Sequence, residues 1–154
     1  MIIIIEGPDG AGKTTLATQL SEQTGYPIEH RSKPENEERT KMREEYLDLV
    51  MSGRNVILDR CWYSEIVYGK VMRDQAYIAY DDMLAFEELL ANNGGGIIIH
   101  CTNGLNTLWK RCQKRGEDYI TNKDTLLKIC EEYNDLMYHC EHKIPVVHYG
   151  FNSN

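Results

Sequence analysis

The sequence has no hydrophobic run long enough to cross a membrane, and its longest one covers residues 2–5. A bilayer span needs about 20 consecutive apolar residues. The chain also lacks a basic N-terminal segment followed by a long apolar one, so no secretory signal is predicted. Cysteines are few, five in 154 residues, and none forms a C-x-x-C pair. We therefore expect reduced thiols, a cytoplasmic location and no membrane partner.

Basic residues are outnumbered, with 17 Lys and Arg against 24 Asp and Glu and a net charge of −7. This balance argues against a whole-surface electrostatic grip on DNA, although it leaves room for a local basic groove. Hydrophobic residues make up 42% and charged residues 27% of the chain, which is ordinary for a globular protein. The length predicts about one domain, spanning residues 1–154. The sequence allows a homodimer and does not determine the oligomeric state.

Short apolar segments alternate with helical ones along the chain. Strands are predicted over residues 1–6, 26–30, 55–59, 97–101 and 144–148. Helices are predicted from about residue 14 to 23 and over residues 35–52, 62–72, 82–92, 105–115 and 124–142. Strands that alternate with helices indicate a parallel sheet with right-handed crossovers. We therefore expect an α/β fold of three layers, with a five-stranded parallel sheet flanked by helices.

A phosphate-binding loop directly follows the first strand. Residues 7–14, GPDGAGKT, match G-x-x-x-x-G-K-[ST] in full, between a strand and a helix. Glycines let successive N–H groups point at phosphate oxygens, and the next helix adds its positive N-terminal end. The residues expected to bind the nucleotide are Gly7, Pro8, Asp9, Gly10, Ala11, Gly12, Lys13, Thr14 and Thr15. The motif thus predicts a P-loop NTPase fold that binds ATP through Lys13 and Mg²⁺ through Thr14.

An acid and an arginine, Asp59 and Arg60, end the third predicted strand. Ligands of open α/β sheets bind at this carboxyl edge. A carboxylate there can hold Mg²⁺ or accept the proton of an attacking hydroxyl, and an arginine can bind phosphate oxygens in a bidentate manner. We therefore predict catalytic roles for Lys13, Asp59 and Arg60, and metal binding by Thr14 and Asp59.

Two segments resemble the thymidylate kinase family. Residues 6–15, EGPDGAGKTT, are similar to its phosphate loop, and residues 59–68, DRCWYSEIVY, are similar to its D-R-Y-x-x-S-x-x-A-Y-Q signature. The resemblance implies a compact, phage-type nucleotide kinase, with the acceptor phosphate on Arg60 and the nucleoside pocket lined by Ser64 and Tyr68. It further implies that Asp9 approaches the acceptor sugar. Arg31 corresponds weakly to the family's R-E-P-G segment and joins the predicted acceptor site.

The chain departs from that family at three signature positions: Cys61 replaces the aromatic residue, Val67 the alanine and Gly69 the glutamine. The segment between the second and third strands, about residues 31–55, is also shorter than in full-length members. These departures leave selectivity for thymine open and indicate a more open acceptor pocket.

Residues 110–115, KRCQKR, place four cations at the end of a helix before a glycine loop. Cations at a helix C-terminus also complement the helix dipole, which is the simpler interpretation. The alternative is a lid over about residues 110–123 whose arginine neutralises charge on the transferred phosphoryl group. Arg115 and Arg111 are the candidates, with Arg115 preferred.

The sequence therefore predicts an ATP- and Mg²⁺-dependent kinase acting on a deoxynucleotide-type acceptor. Transfer to a free deoxynucleoside monophosphate follows the motif resemblance. Transfer to hydroxymethyluracil within DNA, as in the virus-encoded hydroxymethyluracil DNA kinases of the same family, suits an open pocket but is opposed by the net charge of −7. A deoxynucleoside kinase and a non-catalytic ATP sensor are the remaining alternatives, and the sensor would need neither Asp59–Arg60 nor the lid cations.

Overall fold

A computed structural model describes residues 1–31, 39–73, 75–116 and 120–150. Its sheet has five strands in the order β2-β3-β1-β4-β5, and every pair is parallel. The strands are β1 (Ile2–Glu6), β2 (Ile28–His30), β3 (Val56–Asp59), β4 (Gly96–Thr102) and β5 (Val146–Gly150). The predicted five-stranded parallel sheet is therefore confirmed.

In the described part of the chain, six helices flank the sheet and complete the three-layer α/β fold. They are α1 (Lys13–Thr24), α2 (Arg39–Met51), α3 (Trp62–Arg73), α4 (Tyr80–Asn92), α5 (Leu105–Arg115) and α6 (Lys123–Tyr138). Helix α1 packs on β1, β2 and β3, while α3 contacts α6 and α2 contacts α4. Within the described ranges, no helix combines the length and the apolar character that a membrane crossing requires.

Strand β1 forms the centre of the sheet because every one of its five residues is buried between β3 and β4. Four consecutive isoleucines suit this position, since β-branched side chains pack well in a strand covered on both faces. The register pairs Ile5 with Asp59 of β3 and Glu6 with His100 of β4. Acids from two neighbouring strands therefore reach the same carboxyl edge of the sheet.

The C-terminal elements differ from the predicted bounds. Helix α6 ends at Tyr138 rather than at residue 142. Beyond it the chain turns so that His142 and the backbone N–H of Lys143 bind the fully buried carboxylate of Glu87, which needs these donors. Strand β5 begins at Val146 rather than at residue 144, because Pro145 has no N–H to donate to the ladder.

Two other predicted elements have different bounds in the described part of the chain. The second strand starts after Pro27 and covers Ile28–His30. The helix predicted over 35–52 is observed as Arg39–Met51, and residues 32–38 lie outside the described part of the chain.

Candidate active site

The phosphate loop requires glycine at two positions for different reasons. A Cβ atom on Gly7 would lie 2.1 Å from the carbonyl oxygen of Cys101 on β4, so only glycine lets the loop leave β1 this close to its neighbour. Gly12 has φ of 86° and is the N-cap of α1, a left-handed conformation that suits glycine. The loop therefore curls directly onto the N-terminus of α1, as an anion site requires.

Lys13 is buried at the first position of α1, where its Nζ donates a 2.9 Å hydrogen bond to the carbonyl of Pro8 in the same loop. Burial, helped by the nearby charge of Arg60, lowers the pKa of Lys13 to about 8. A buried ammonium group held by a neutral carbonyl fits a site built to receive a phosphate anion.

Asp59 joins three elements at the tip of β3. The hydroxyl of Thr14 on α1 donates to Asp59 Oδ2 at 3.1 Å, and Nδ1 of His30, at the end of β2, lies 3.1 Å from the same oxygen. His30 and Asp59 are register partners in the sheet, which explains their contact. A threonine hydroxyl and a carboxylate are oxygen ligands of the kind that Mg²⁺ prefers, so both residues fit the predicted metal site.

Arg60 is held by residues of the phosphate loop and of α3. Its Nη2 donates to Asp9 Oδ1 at 2.8 Å and to the Tyr68 hydroxyl at 3.3 Å, and its guanidinium lies 5.0 Å from the centre of the Tyr68 ring. Nη1 donates to Ser64 Oγ at 3.2 Å. The Tyr68 hydroxyl also donates to the second oxygen of Asp9. Four of the predicted acceptor residues therefore form one cluster, the arginine cluster, which consists of Asp9, Arg60, Ser64 and Tyr68.

Glu6 lies beneath this cluster and is fully buried. Its two carboxylate oxygens accept hydrogen bonds from the backbone N–H groups of Cys61 and Ser64 and from the hydroxyls of Ser64 and Tyr133. Burial raises the pKa of Glu6 above its usual range, against the opposing effects of the Arg60 charge and these hydrogen bonds. All four partners are donors, an arrangement that suits a carboxylate.

A cavity of about 270 Å³ connects the phosphate loop with the arginine cluster. Its lining residues are Asp9, Gly10, Gly12, Lys13, Thr14, His30, Arg31, Asp59, Arg60 and Arg115. Arg31 follows β2 and pairs with Glu29 at 3.0 Å, while its buried Nε has no hydrogen-bond partner among the described residues. The cavity therefore brings candidate donor-binding and acceptor-binding residues into one space.

The two lid candidates have different positions. Arg111 donates a 2.8 Å hydrogen bond to the carbonyl of Gly10 and so braces the phosphate loop from α5. Arg115, at the end of α5, lines the cavity. Of the predicted lid over residues 110–123, residues 117–119 lie outside the described part of the chain. Thr15 is exposed on α1, one position beyond Thr14.

Sequence reasoning missed three residues of this site: His30, Glu6 and Tyr133. Glu6 ends an apolar strand just as Asp59 does, so the same signal was present for it. Tyr133 follows the apolar spacing of α6 and carries no local sign of a polar contact. The described residues contain no group of three or more His, Cys, Asp or Glu that could hold a metal ion. The candidate metal ligands are therefore the hydroxyl of Thr14 and the carboxylate of Asp59.

Comparisons with known proteins bear on the family and the fold of the chain. A family model described as Polyphosphate kinase 2 (PPK2) matches residues 1–119. The SPbeta prophage-derived uncharacterized protein YorR of Bacillus subtilis (strain 168) is 31% identical over 137 residues, which cover 88% of this chain and 81% of YorR. A crystal structure of YorR in complex with phosphorylated GDP superposes with a TM-score of 0.78 at 27% identity, covering 99% of this chain and 85% of that one.

Two further relatives are named kinases. A probable thymidylate kinase of Archaeoglobus fulgidus is 32% identical over 96 residues, covering 44% of this chain and 49% of the relative. Deoxyguanosine kinase of Bacillus subtilis (strain 168) is 29% identical over 149 residues, covering 80% and 70%. The resemblance therefore holds for P-loop nucleotide kinases in general and not for thymidylate kinases in particular. YorR is a relative of this chain, which belongs to the polyphosphate kinase 2 (PPK2) family and is a P-loop kinase.

Proposed function

We propose that this kinase, acting as a single P-loop domain, transfers the γ-phosphoryl group of Mg-ATP to a deoxynucleoside monophosphate. The observation that carries the proposal is the presence of two acceptor-side arginines, Arg31 and Arg60, in the cavity that also contains Lys13 and Thr14. A second phosphate beside the triphosphate requires such additional positive charge.

The donor side supports binding of Mg-ATP, which when bound supplies the divalent charge and the transferable phosphoryl group. Thr14 and Asp59 would hold the metal ion, since their oxygens lie 3.1 Å apart. Lys13, with the amides of the loop, would bind the β- and γ-phosphates. Arg115 would neutralise charge on the phosphoryl group in transit from its position at the cavity wall.

The acceptor side supports binding of a phosphate in front of Asp59. The buried Nε of Arg31 lacks a partner among the described residues, and an acceptor phosphate oxygen would satisfy it. Arg60 would supply the second contact, with Asp9 and Tyr68 fixing the orientation of its guanidinium at 2.8 and 3.3 Å. The two arginines would thus align the acceptor oxygen with the γ-phosphorus, which is the main task in phosphoryl transfer.

A deoxynucleoside is the second candidate acceptor. The ion pair with Asp9 already neutralises part of the charge of Arg60, so the attraction of Arg60 for an acceptor phosphate is weaker. In this case Asp59 would accept the proton of the acceptor hydroxyl. The deoxyguanosine kinase relative supports this alternative.

The experiment is a transfer assay with γ-labelled ATP and a panel of acceptors: the deoxynucleoside monophosphates, the deoxynucleosides and duplex DNA containing hydroxymethyluracil. Labelled polyphosphate is tested as phosphoryl donor in parallel, because the family is named after polyphosphate kinases. Arg31→Gln is compared with Arg54→Gln, since both arginines bind Glu29 but only Arg31 is among the cavity-lining residues.

We expect the label to appear on a deoxynucleoside monophosphate. In Arg31→Gln, the KM for that acceptor should rise about tenfold or more, because the variant loses about one charge-assisted hydrogen bond to the acceptor phosphate. Arg54→Gln should behave as the wild type. Label on deoxynucleosides alone, with no change in Arg31→Gln, would establish the second candidate instead. Label on DNA alone would overturn both.

A further inference from the structure

We propose that Glu6 is a positioning residue that holds Arg60 in place through the hydroxyl groups of Ser64 and Tyr133. The proposal deepens the function given above and rests on it for the role of Arg60 as acceptor ligand. Neither Glu6 nor Tyr133 belongs to the phosphate loop or to the cavity lining. Their contribution is therefore to the arginine and not directly to the substrate.

Glu6 is linked to the start of α3 by hydrogen bonds from two backbone N–H groups. Glu6 Oε1 accepts the N–H of Cys61 at 2.7 Å and that of Ser64 at 3.1 Å. Cys61 immediately precedes α3 and Ser64 lies in its first turn, where N–H groups have no acceptor one full turn earlier in the helix and a negative charge is favourable. The N–H of Ser64 also donates to the carbonyl of Cys61 at 3.1 Å. Because Arg60 immediately precedes this turn, Glu6 fixes the backbone from which the arginine side chain extends.

The backbone of Arg60 needs such support. Its φ is 75°, and it is the only non-glycine residue in the described chain with a positive φ. A left-handed conformation is costly for an arginine and persists where the surroundings fix it. The N–H of Arg60 donates to the carbonyl of Ile5 at 3.0 Å, and the next N–H, that of Cys61, binds Glu6. The turn is therefore tied to β1 at two successive residues.

Two hydroxyl groups, those of Ser64 and Tyr133, lie between Glu6 and the guanidinium of Arg60. Glu6 Oε2 accepts hydrogen bonds from Ser64 Oγ at 2.6 Å and from the Tyr133 hydroxyl at 2.9 Å. The oxygens of both hydroxyl groups in turn accept from Arg60 Nη1, at 3.2 Å from Ser64 and 3.5 Å from Tyr133. Since each hydroxyl donates to the carboxylate, its oxygen is left as an acceptor facing the arginine. The carboxylate thus sets the direction of both hydroxyls.

The guanidinium is consequently held from two sides. Asp9 and Tyr68 bind Nη2, while the hydroxyls of Ser64 and Tyr133 bind Nη1. Without the second pair, Arg60 would remain attached to Asp9 but could rotate about its side chain. A bidentate contact with phosphate depends on the plane of the guanidinium, so its loss of order should weaken acceptor binding first.

The test compares two tyrosines that differ in location but not in chemistry. Tyr133→Phe removes a hydroxyl that donates to Glu6 at 2.9 Å, and Tyr63→Phe removes one that donates to Glu87 at 2.9 Å. Both tyrosines are fully buried and both acids are fully buried. Glu87 contacts His142 and Lys143, away from the arginine cluster. A merely structural role would therefore affect both variants alike.

We expect the acceptor KM to rise about tenfold in Tyr133→Phe, with kcat and the KM for ATP changed less than about threefold. Tyr63→Phe should keep wild-type kinetics even where its melting temperature falls. Glu6→Gln, which retains the size of the side chain but adds a donor, should exceed the effect of Tyr133→Phe. Equal acceptor KM values in Tyr133→Phe, Glu6→Gln and the wild type would overturn the proposal.

A second measurement keeps this test separate from the identity of the acceptor. In ¹⁵N spectra, restricted rotation of the Arg60 guanidinium should be seen in the wild type and in Tyr63→Phe, and lost in Tyr133→Phe. If no acceptor is phosphorylated by the wild type, the proposed function fails while these spectra still decide the positioning role. Unchanged Arg60 signals in Tyr133→Phe would refute that role whatever the acceptor is.

Discussion

The hydroxyl of Thr14 lies 3.1 Å from Asp59 Oδ2, although 45 residues separate the two positions in the chain. Thr14 lies at the start of α1 and Asp59 at the end of β3, the strand next to β1. The phosphate loop that follows β1 and the acid that ends β3 therefore meet at the same edge of the sheet. One metal ion and one triphosphate can be shared by both.

From this contact we expect Asp59→Asn to lower kcat at least about a hundredfold, because an amide neither carries the charge that holds Mg²⁺ nor accepts a proton. Asp82→Asn is the matched control. Asp82 is also a buried acid, but it binds the N–H of Ala79 and the side chain of Arg43, away from the cavity. Steady-state kinetics with thermal melts should show that the control loses stability and keeps kcat. Wild-type rates in Asp59→Asn would remove this residue from the mechanism.

A second prediction concerns protons at Lys13. Burial lowers the pKa of its ammonium group to about 8 in the free protein, so at pH 9 most molecules carry a neutral Lys13. The negative phosphates of a bound nucleotide raise that pKa, so binding at pH 9 should take up about one proton, and binding at pH 7 almost none. Titration calorimetry with ADP in buffers of different ionisation enthalpy measures this number.

The control for this proton count is Lys13→Met, which retains an unbranched side chain but has no titrating group. Proton uptake at pH 9 should disappear in this variant, and nucleotide affinity should fall at least about tenfold. An undiminished uptake in Lys13→Met would assign the proton to another group.

The donor half of the site was predictable because its signals are local. The loop sequence of residues 7–14 specifies its own backbone, and an acid after an apolar strand must emerge at the sheet edge. Asp59 and Lys13 could therefore be named from the sequence. The parallel sheet followed from the alternation of strands and helices.

The support of Arg60 was not predictable in the same way. Tyr133 reaches Arg60 Nη1 from 73 residues away, and its spacing in α6 is that of an ordinary core residue. The φ of 75° at Arg60 contradicts the preference of an arginine and arises from tertiary contacts. His30 reaches Asp59 through the register of a three-residue strand, and strand register is not specified by so short a segment.

The two arginines of α5 should separate in kinetics. Arg115 lines the cavity, so Arg115→Ala should lower kcat at least about tenfold while the KM for ATP changes less than about threefold. Arg111 binds the Gly10 carbonyl, so Arg111→Ala should loosen the loop and raise the KM for ATP instead. Lys114→Ala, at an exposed position of the same helix, is the control. The reverse pattern, with Arg111 governing kcat, would exchange the two roles.

The last prediction concerns stability and His142. Its Nδ1 lies 2.9 Å from Glu87 Oε2 and its Nε2 lies 2.7 Å from the carbonyl of Leu136, so both ring nitrogens face acceptors. Burial disfavours the charged ring, but these two hydrogen bonds outweigh it and raise the pKa of His142 above its usual 6.5. A raised pKa in the folded state stabilises the fold below pH 6.5, and this contribution is lost as the pH rises through the folded value.

Urea unfolding between pH 6.5 and 9 therefore tests the charged state of this ring. In that window the wild type should lose its stability advantage over His142→Gln as the pH rises. Burial lowers the pKa of His100 on β4 to about 4, but His100 is present in both proteins, so its contribution cancels from their difference. A pH-independent difference between the wild type and His142→Gln would mean that folding does not raise the pKa of His142, and it would contradict this prediction.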